Sequence, residues 1–431
     1  MSLAIASTPT PAVAANIASP LTLPCGAVIP NRIAKSAMTE GLADGDDLPT
    51  PQLNQLYQRW AEGGAGLLIT GNVMVDRRYL ERSGNVVLEN ADGLSRFRLW
   101  AEVVTECDVH LWMQLNHPGR QCSRFSNSKP VAPSAVQLRM AGNFAMPRVL
   151  PDSEIKAIIR RFGVSAALAR EAGFTGVQIH SAHGYLGSQF LSPLTNQRKD
   201  DWGGSLENRA RFLLATVAEV RAQVGADFPV AVKLNSADFQ QGGFAIEECV
   251  EVARWLQQAG VDLLELSGGA YENPAFLATE SDKRPAGAWR REAFFLEYAE
   301  AVAKAVTTTL MVTGGFRSRP GMNDAIAAGA TQMIGVARPF CTDPDFPRKL
   351  FAGAIARTHP TEKELALAGY WGPQSPSKLI RALNNQAQAA WYYQQILHLA
   401  NHRQPDLNLG LGGALRRHLL NEMRLSLHRS R

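Results

Sequence analysis

The chain has 431 residues, of which 45% are hydrophobic and 19% are charged. This is the composition of a soluble globular protein, organised either as one large domain with an appendage or as two ordinary domains. The net charge of +5 lies mostly at the end of the chain, where residues 401–431 carry six arginines against two acidic residues. A short basic tail is more often a solvated or packed helix end than a nucleic-acid footprint, so we expect no nucleic-acid partner.

The cysteines and the first residues of the chain indicate the cellular compartment of the protein. The five cysteines are scattered without a C-x-x-C pair, which indicates neither a disulfide framework nor a zinc site and is typical of a reducing compartment. The first basic residue is Arg32, and no run of about 18 apolar residues occurs. We therefore expect a cytoplasmic protein with no membrane contact and with a flexible head over residues 1–20.

Short β-branched or leucine-rich runs alternate with longer runs of helical periodicity. This alternation predicts parallel βα units. Eight candidate strands occur, over residues 31–37, 66–73, 109–115, 176–180, 230–234, 261–266, 310–313 and 332–336. Their number predicts an α/β fold, a closed (β/α)8 TIM barrel over residues 21–360.

Two helices of the barrel layer can be bounded from the sequence. Ser205 is a predicted N-cap for a helix over 206–224, and a second helix covers 246–258. Several of the loops that follow strands are long, and the loops 122–151 and 267–290 are expected to shape a pocket. Long loops on one rim are how this barrel builds a site.

The pattern changes beyond Phe351, where prolines interrupt the chain and two further helices are predicted over 377–400 and 411–427. We expect residues 361–431 to form a helical C-terminal extension, packed on the barrel or on a partner subunit. No G-x-G-x-x-G follows a strand, so no separate nicotinamide-binding Rossmann domain is predicted.

The segment VQIHSAHGYLGSQFLSP places His180 at the end of a strand, with His183 and Tyr185 in the loop just after it. On a barrel this rim faces the site. Two imidazoles can donate to one substrate oxygen, and a phenol with a pKa near 10 suits protonation of a carbanion or enolate. The alternatives are a metal site or two buried structural histidines. A His-x-x-His pair without a third ligand is weak for catalytic zinc, so we expect no metal.

Two glycine-rich or small-residue turns, MVTGGF and MIGVARP, end the last two strands, and the second contains Arg338. Turns after strands seven and eight are the usual phosphate cradle of this barrel. The alternative is that the glycines only make tight turns. The position favours a phosphorylated ligand.

Three other strand ends carry polar residues, namely Thr39, Gln114 and Lys233. A flat heterocycle with nitrogen and carbonyl edges is one ligand that would satisfy them. Lys233 could instead form a structural ion pair, and Gln114 could bond a neighbouring loop.

Together the segments PNRIAKSAMTE, GLLITGNV, QLNHPGR, IHSAHGYLGSQFLSPLTNQRKDDWGGSLENRARF, VKLNSADF, TGGF and GVARPF resemble the Old Yellow Enzyme family, in the order of that family and from about Leu23 to Phe351. The family consists of FMN-dependent ene-reductases. The resemblance implies that NADH or NADPH reduces FMN, and that the flavin passes hydride to the β-carbon of an activated alkene, the small-molecule substrate.

The resemblance also implies roles for individual residues. His180 and His183 would bind the substrate carbonyl, and Tyr185 would protonate the α-carbon. Lys233 would stabilise the reduced anionic flavin. The implied FMN contacts are Ala37, Met38, Thr39, Asn72, Gln114, Lys233, Gly315, Ala337 and Arg338.

The sequence departs from the family pattern at two of these positions. Thr39 stands where one branch has cysteine, and Lys233 replaces an arginine common in several branches. A related group carries an iron–sulfur cluster, but the only cysteine after position 330 is Cys341, so no four-cysteine cluster is expected there. Other FMN-barrel chemistry such as oxidative demethylation, and a flavin-binding regulatory module, stay open as alternatives, as does a homo-oligomer.

Overall fold

The computed structural model describes residues 15–429, except for 125, 140–141, 269–291, 294, 367–368, 370–371 and 373–374. Most of the predicted head and almost all of the predicted pocket loop over 267–290 therefore lie outside the described residues. Among the described residues, no helix is both long and apolar enough to cross a membrane.

Eight parallel strands form a closed barrel, which confirms the predicted fold class. Each strand pairs with the next, and the eighth pairs with the first through Ile334 and Ile33. The strands are β1 Ile33–Lys35, β2 Leu67–Ile69, β3 His110–Asn116, β4 Gly176–Ser181, β5 Val230–Asn235, β6 Leu263–Ser267, β7 Thr309–Thr313 and β8 Met333–Val336.

The second predicted strand is shorter than expected. Its run over 66–73 breaks after Ile69, and a separate short strand at 73–74 pairs with the end of β3. At the break, the Gly71 N–H donates to Glu40 Oε1 (2.9 Å), and a Cβ on Gly71 would lie 2.2 Å from the other oxygen of that carboxylate. The chain therefore leaves the sheet at a place where only glycine fits.

Helices cover the outside of the barrel and continue beyond it. The predicted helices over 206–224 and 246–258 have those bounds, and the Ser205 side chain accepts from Asn208 N (3.4 Å) as an N-cap. The helices are α1 Pro51–Ala61, α2 Leu94–Thr105, α3 Asp152–Glu171, α4 Leu186–Leu191, α5 Leu206–Val224, α6 Ile246–Gln258, α7 Leu296–Ala303, α8 Arg319–Ala327, α9 Pro339–Thr342, α10 Phe346–Phe351, α11 Lys378–Ala400 and α12 Leu411–Arg429.

The two ends of the barrel interior differ in polarity. One end is filled by an apolar cluster that includes Trp112, Met311 and Met333, each fully buried. A short antiparallel pair of strands, Leu21–Thr22 with Val28–Ile29, packs its buried side chains against this cluster. Polar side chains are found instead toward the carboxyl ends of the strands. The polar side chains that could form the predicted site therefore lie at that rim.

The C-terminal helices pack against the barrel layer of the same chain. Helix α11 contacts α1 and α9. Its Trp391 is fully buried and donates from Nε1 to Leu409 O (2.7 Å). Arg82 stacks on the Tyr393 ring, 4.7 Å from its centroid, and forms an ion pair with Glu422 of α12. The domain boundary placed at residue 361 from the sequence stays a prediction.

Replacing Trp391 with alanine is expected to loosen this packing. Trp391→Ala removes a buried indole and leaves a cavity, so the free energy of unfolding should fall by about 3–5 kcal/mol. The control is Leu383→Ala on the same helix, because the Leu383 side chain is 44% exposed. We expect it to change the free energy by less than about 0.5 kcal/mol. Chemical denaturation measures both variants, and equal effects would contradict the described packing.

Candidate active site

The structure brings together the three residues predicted to carry the chemistry. His180 lies near the end of β4, His183 follows it in a left-handed backbone conformation (φ 59°), and Tyr185 immediately precedes α4. The His180 ring centroid is 5.2 Å from that of His183 and 4.7 Å from that of Tyr185, both in edge-to-face geometry. Two imidazoles and one phenol therefore form a single cluster at the rim.

Hydrogen bonds fix the orientation of both imidazoles. The Ala182 N–H donates to His180 Nδ1 (3.2 Å), so in the neutral ring the proton sits on Nε2. His183 Nε2 lies 2.8 Å from Ser267 Oγ at the end of β6, and its backbone N–H donates to Asn235 Oδ1 (3.0 Å). Residues from β4, β5 and β6 thus hold the pair in place.

Both histidines are neutral near pH 7. Burial lowers the pKa of His180 well below its usual value, and the charges of His183 and Lys233 act in the same direction. Burial and the charge of Lys233 likewise depress the pKa of His183. Neutral imidazoles can donate a hydrogen bond without supplying a cation. Lys233 is the direct partner of His180 in the parallel register of β4 and β5.

A carboxylate that the sequence did not single out lies beside Tyr185. Asn72 Nδ2 is 2.7 Å from Glu81 Oε2, 3.2 Å from Tyr185 Oη and 3.4 Å from Thr39 Oγ1. Thr39 Oγ1 also donates to Glu81 Oε2 (3.2 Å). Two residues predicted as FMN contacts, Thr39 and Asn72, are therefore linked to the predicted proton donor. Glu81 follows none of the barrel strands and belongs to no motif, so no sequence pattern predicts it.

Gln114 and Lys233 belong to a buried network of hydrogen bonds and ion pairs. Gln114 Nε2 donates to Gln178 Oε1 (2.7 Å), and Lys233 Nζ forms an ion pair with Glu265 Oε1 (2.8 Å). The ion pair that the sequence left open for Lys233 is thus present. Gln178 and Glu265 were missed, although each is a polar residue inside an otherwise apolar strand, which is a readable signal.

The turns after β7 and β8 have the features of an anion site. Gly314 and Gly315 both have positive φ, 116° and 97°. Ala337 and Arg338 are half-buried at the end of β8. Burial lowers the pKa of Arg338, and its guanidinium makes no hydrogen bond within the part of the chain that the structure describes. A half-buried cation without an acceptor is suited to a phosphate.

Ala37 and Met38 complete the rim. Both are half-buried just after β1, and Met38 Sδ lies 3.6 Å from the thiol of Cys341, three residues beyond Arg338. Across the described ranges, no group of three His, Cys, Asp or Glu side chains is placed to hold a metal ion. The predicted site residues thus follow or end the strands at one rim of a (β/α)8 barrel.

Comparison with known proteins identifies the family. The profile of the NADH:flavin oxidoreductase / NADH oxidase family, an FMN family, matches residues 17–355. The NADH-dependent flavin oxidoreductase iliE of Hypocrea jecorina is 38% identical over 76% of this chain and 87% of its own length. The cinnamate reductase of Clostridium sporogenes is 29% identical over 77% of this chain and 52% of its own length. The structure of the old yellow enzyme homologue from Zymomonas mobilis is 25% identical, with a TM-score of 0.68, over 80% of this chain and 94% of that one.

The chain belongs to the NADH:flavin oxidoreductase / NADH oxidase family. It is an oxidoreductase that uses FMN as its cofactor and a nicotinamide nucleotide as its hydride donor, as the sequence predicted. The residues present fit FMN. Arg338 is an available cation for the phosphate, and within the described part of the chain Asn72 Oδ1 is a buried acceptor with no hydrogen-bond partner.

The neutral state of His180 can be tested directly. Because its folded pKa lies well below about 6.5, histidine side-chain nitrogen NMR should show one protonated and one bare ring nitrogen across pH 6 to 8. His180→Gln assigns the signal, and the urea-unfolded protein provides imidazoles that do titrate in this range. A His180 signal that moves with a midpoint near 6.5 would contradict the described burial.

Loss of the Arg338 guanidinium is expected to weaken FMN binding. Charged hydrogen bonds contribute about 1.5–3 kcal/mol each, so Arg338→Leu should raise the FMN dissociation constant about 10- to 100-fold. Arg403→Leu on the exposed surface of the extension is the control. Flavin fluorescence during titration measures both, and an unchanged constant for Arg338→Leu would rule out its assignment to the phosphate.

Proposed function

We propose that the protein is an ene-reductase, which reduces the carbon–carbon double bond of an α,β-unsaturated carbonyl compound. In this proposal hydride goes to the β-carbon, Tyr185 gives a proton to the α-carbon, and His180 and His183 hold the carbonyl oxygen. The observation that carries the proposal is the cluster of two neutral imidazoles and one phenol at the rim.

Bound FMN would supply the two-electron redox chemistry that links the nicotinamide nucleotide to the alkene. The residues that would hold it are Ala37, Met38, Thr39, Asn72, Gln114, Lys233, Gly315, Ala337 and Arg338. Rigid strand ends carry most of these residues, so the chain contributes mainly orientation of the two reactants.

His180 is suited to polarise the substrate carbonyl. Its Nδ1 is engaged by the Ala182 N–H, which leaves Nε2–H as the donor. Addition of hydride to the β-carbon moves negative charge onto the carbonyl oxygen. A donor already fixed where that charge develops stabilises the transition state more than the ground state. His183, whose ring is held against Ser267, lies beside it.

Tyr185 is suited to complete the reaction by general acid catalysis. A phenol, whose ordinary pKa is near 10, is acidic enough to protonate an enolate carbon. Asn72 donates to Tyr185 Oη (3.2 Å), so the phenol oxygen keeps its own proton for transfer and has a donor to stabilise it afterwards. The name of the cinnamate reductase, whose substrate is an unsaturated carboxylic acid, supports an alkene substrate.

The role of Tyr185 can be tested by measuring flavin reduction and flavin reoxidation separately. Tyr185→Phe should leave flavin reduction by NADH or NADPH within about twofold and slow reoxidation by 2-cyclohexenone about 10²- to 10⁴-fold, the usual range for loss of a general acid. Tyr298→Phe is the control, because that half-buried ring lies on α7, packs edge-on against Phe239 and has no assigned role in the reaction. Anaerobic stopped-flow absorbance of the flavin measures each half-reaction.

Equal slowing of both half-reactions in Tyr185→Phe would remove the proton-donor assignment. Wild-type flavin that bleaches with nucleotide and ignores every enone would refute the proposal and favour another acceptor, such as a methylated amine.

A further inference from the structure

A buried ion pair lies inside the barrel beneath the proposed flavin site. Lys233 on β5 and Glu265 on β6 are directly opposite each other in the parallel register, with Nζ and Oε1 2.8 Å apart. Their side chains are 4% and 0% exposed. Two opposite charges are thus buried together. Only the positive charge, that of Lys233, has a direct role at the flavin in the proposed reaction.

Glu265 is the centre of a network that reaches across the barrel. Its Oε2 accepts from Gln178 Nε2 (2.7 Å), and its Oε1 accepts from Thr313 Oγ1 (2.7 Å) as well as from Lys233. Because Thr313 donates to Glu265, Ser36 Oγ must donate to Thr313 Oγ1, 2.7 Å away. Donors from three neighbouring elements therefore fix one carboxylate. The hydrogen bonds therefore fix the position of the Glu265 carboxylate.

We propose that Glu265 sets the reduction potential of the flavin by neutralising Lys233. The proposal rests on the proposed function, in which Lys233 lies against the pyrimidine edge of FMN. Glu265 acts through Lys233 and is a positioning residue. It holds the ammonium group in register with His180, its other neighbour across the sheet, and compensates the charge that the ammonium group would present.

The physical reason is the charge that reduction adds to the pyrimidine edge. An uncompensated cation there stabilises the reduced form and makes the flavin a weaker hydride donor. In the pair, the negative charge of Glu265 lies within hydrogen-bond distance of the Lys233 ammonium group. Charges interact strongly in the protein interior, so the carboxylate offsets most of the effect of the cation. The pair therefore holds the potential lower than a lone cation would, which favours delivery of hydride to an alkene.

The test is the two-electron midpoint potential of the FMN-loaded protein, measured by anaerobic spectroelectrochemistry without any alkene. Glu265→Gln leaves Lys233 uncompensated and should favour the reduced flavin at least tenfold, a shift of ~30 mV to more positive potential. Glu248→Gln is the matched control, since Glu248 pairs with the buried Arg209 between α5 and α6, outside the barrel. It should shift the equilibrium less than threefold.

A second variant keeps the proposal testable if Glu265→Gln folds poorly, because breaking a buried pair is strongly destabilising. The double variant Lys233→Met with Glu265→Gln removes both charges, so the net charge of the site stays unchanged. The equilibrium between oxidised and reduced flavin should then change less than tenfold, a shift of under ~30 mV in the midpoint potential. A fall of more than ~30 mV in the double variant, or a folded Glu265→Gln with an unchanged potential, would show that Lys233 acts as a bare cation and would overturn the proposal.

The measurement separates this proposal from the proposed function. A positive shift in Glu265→Gln supports the role of Glu265 even if the reduced wild-type flavin ignores enones. Turnover of enones by the wild type, with no shift in Glu265→Gln, leaves the ene-reductase standing and removes the role of Glu265.

Discussion

The hydrogen bonding between β8 and β1 is the constraint on which the rest of the molecule depends. It closes eight parallel strands into a ring, so all the carboxyl ends meet at one rim and all the amino ends at the other. The amino end is filled by apolar side chains and covered by a short strand pair. Chemistry is thereby confined to the opposite rim, where residues from distant parts of the chain become neighbours.

Buried charges in and around the barrel lie close to counter-charges and hydrogen-bond partners. Lys35 is fully buried, donates to Ile69 O (2.6 Å) and contacts Tyr57, whose hydroxyl donates to Glu40. Burial lowers the pKa of Lys35 to about 8, against the opposing effect of the Glu40 carboxylate. Lys233 has Glu265 in direct contact. The guanidinium of Arg338 has no hydrogen-bond acceptor within the described residues, although the Glu362 carboxylate opposes the lowering of its pKa by burial.

The sequence predicted the barrel and the three-residue cluster because both depend on local patterns. Apolar runs mark the strands, and two histidines and a tyrosine after a strand mark a rim. The break in β2 was missed, since it depends on Glu40 approaching Gly71 from another loop. The contact between Gln178 and Glu265, 87 residues apart, follows from barrel closure and cannot be read from either strand alone. Glu81 joins the site through contacts with Asn72 and Thr39, which share no local sequence pattern with it, so no motif predicts it.

The contact between the C-terminal extension and Arg82 affects where a tag can be attached to this protein. Arg82 is the next residue after Glu81, and it is held by Tyr393 of α11 and by Glu422 of α12. Helices α11 and α12 thus contact the segment that carries Glu81, which accepts hydrogen bonds from Thr39 and Asn72. A fusion or truncation at the carboxyl end is expected to disturb these contacts, so an affinity tag or fluorescent fusion should be placed at the amino end.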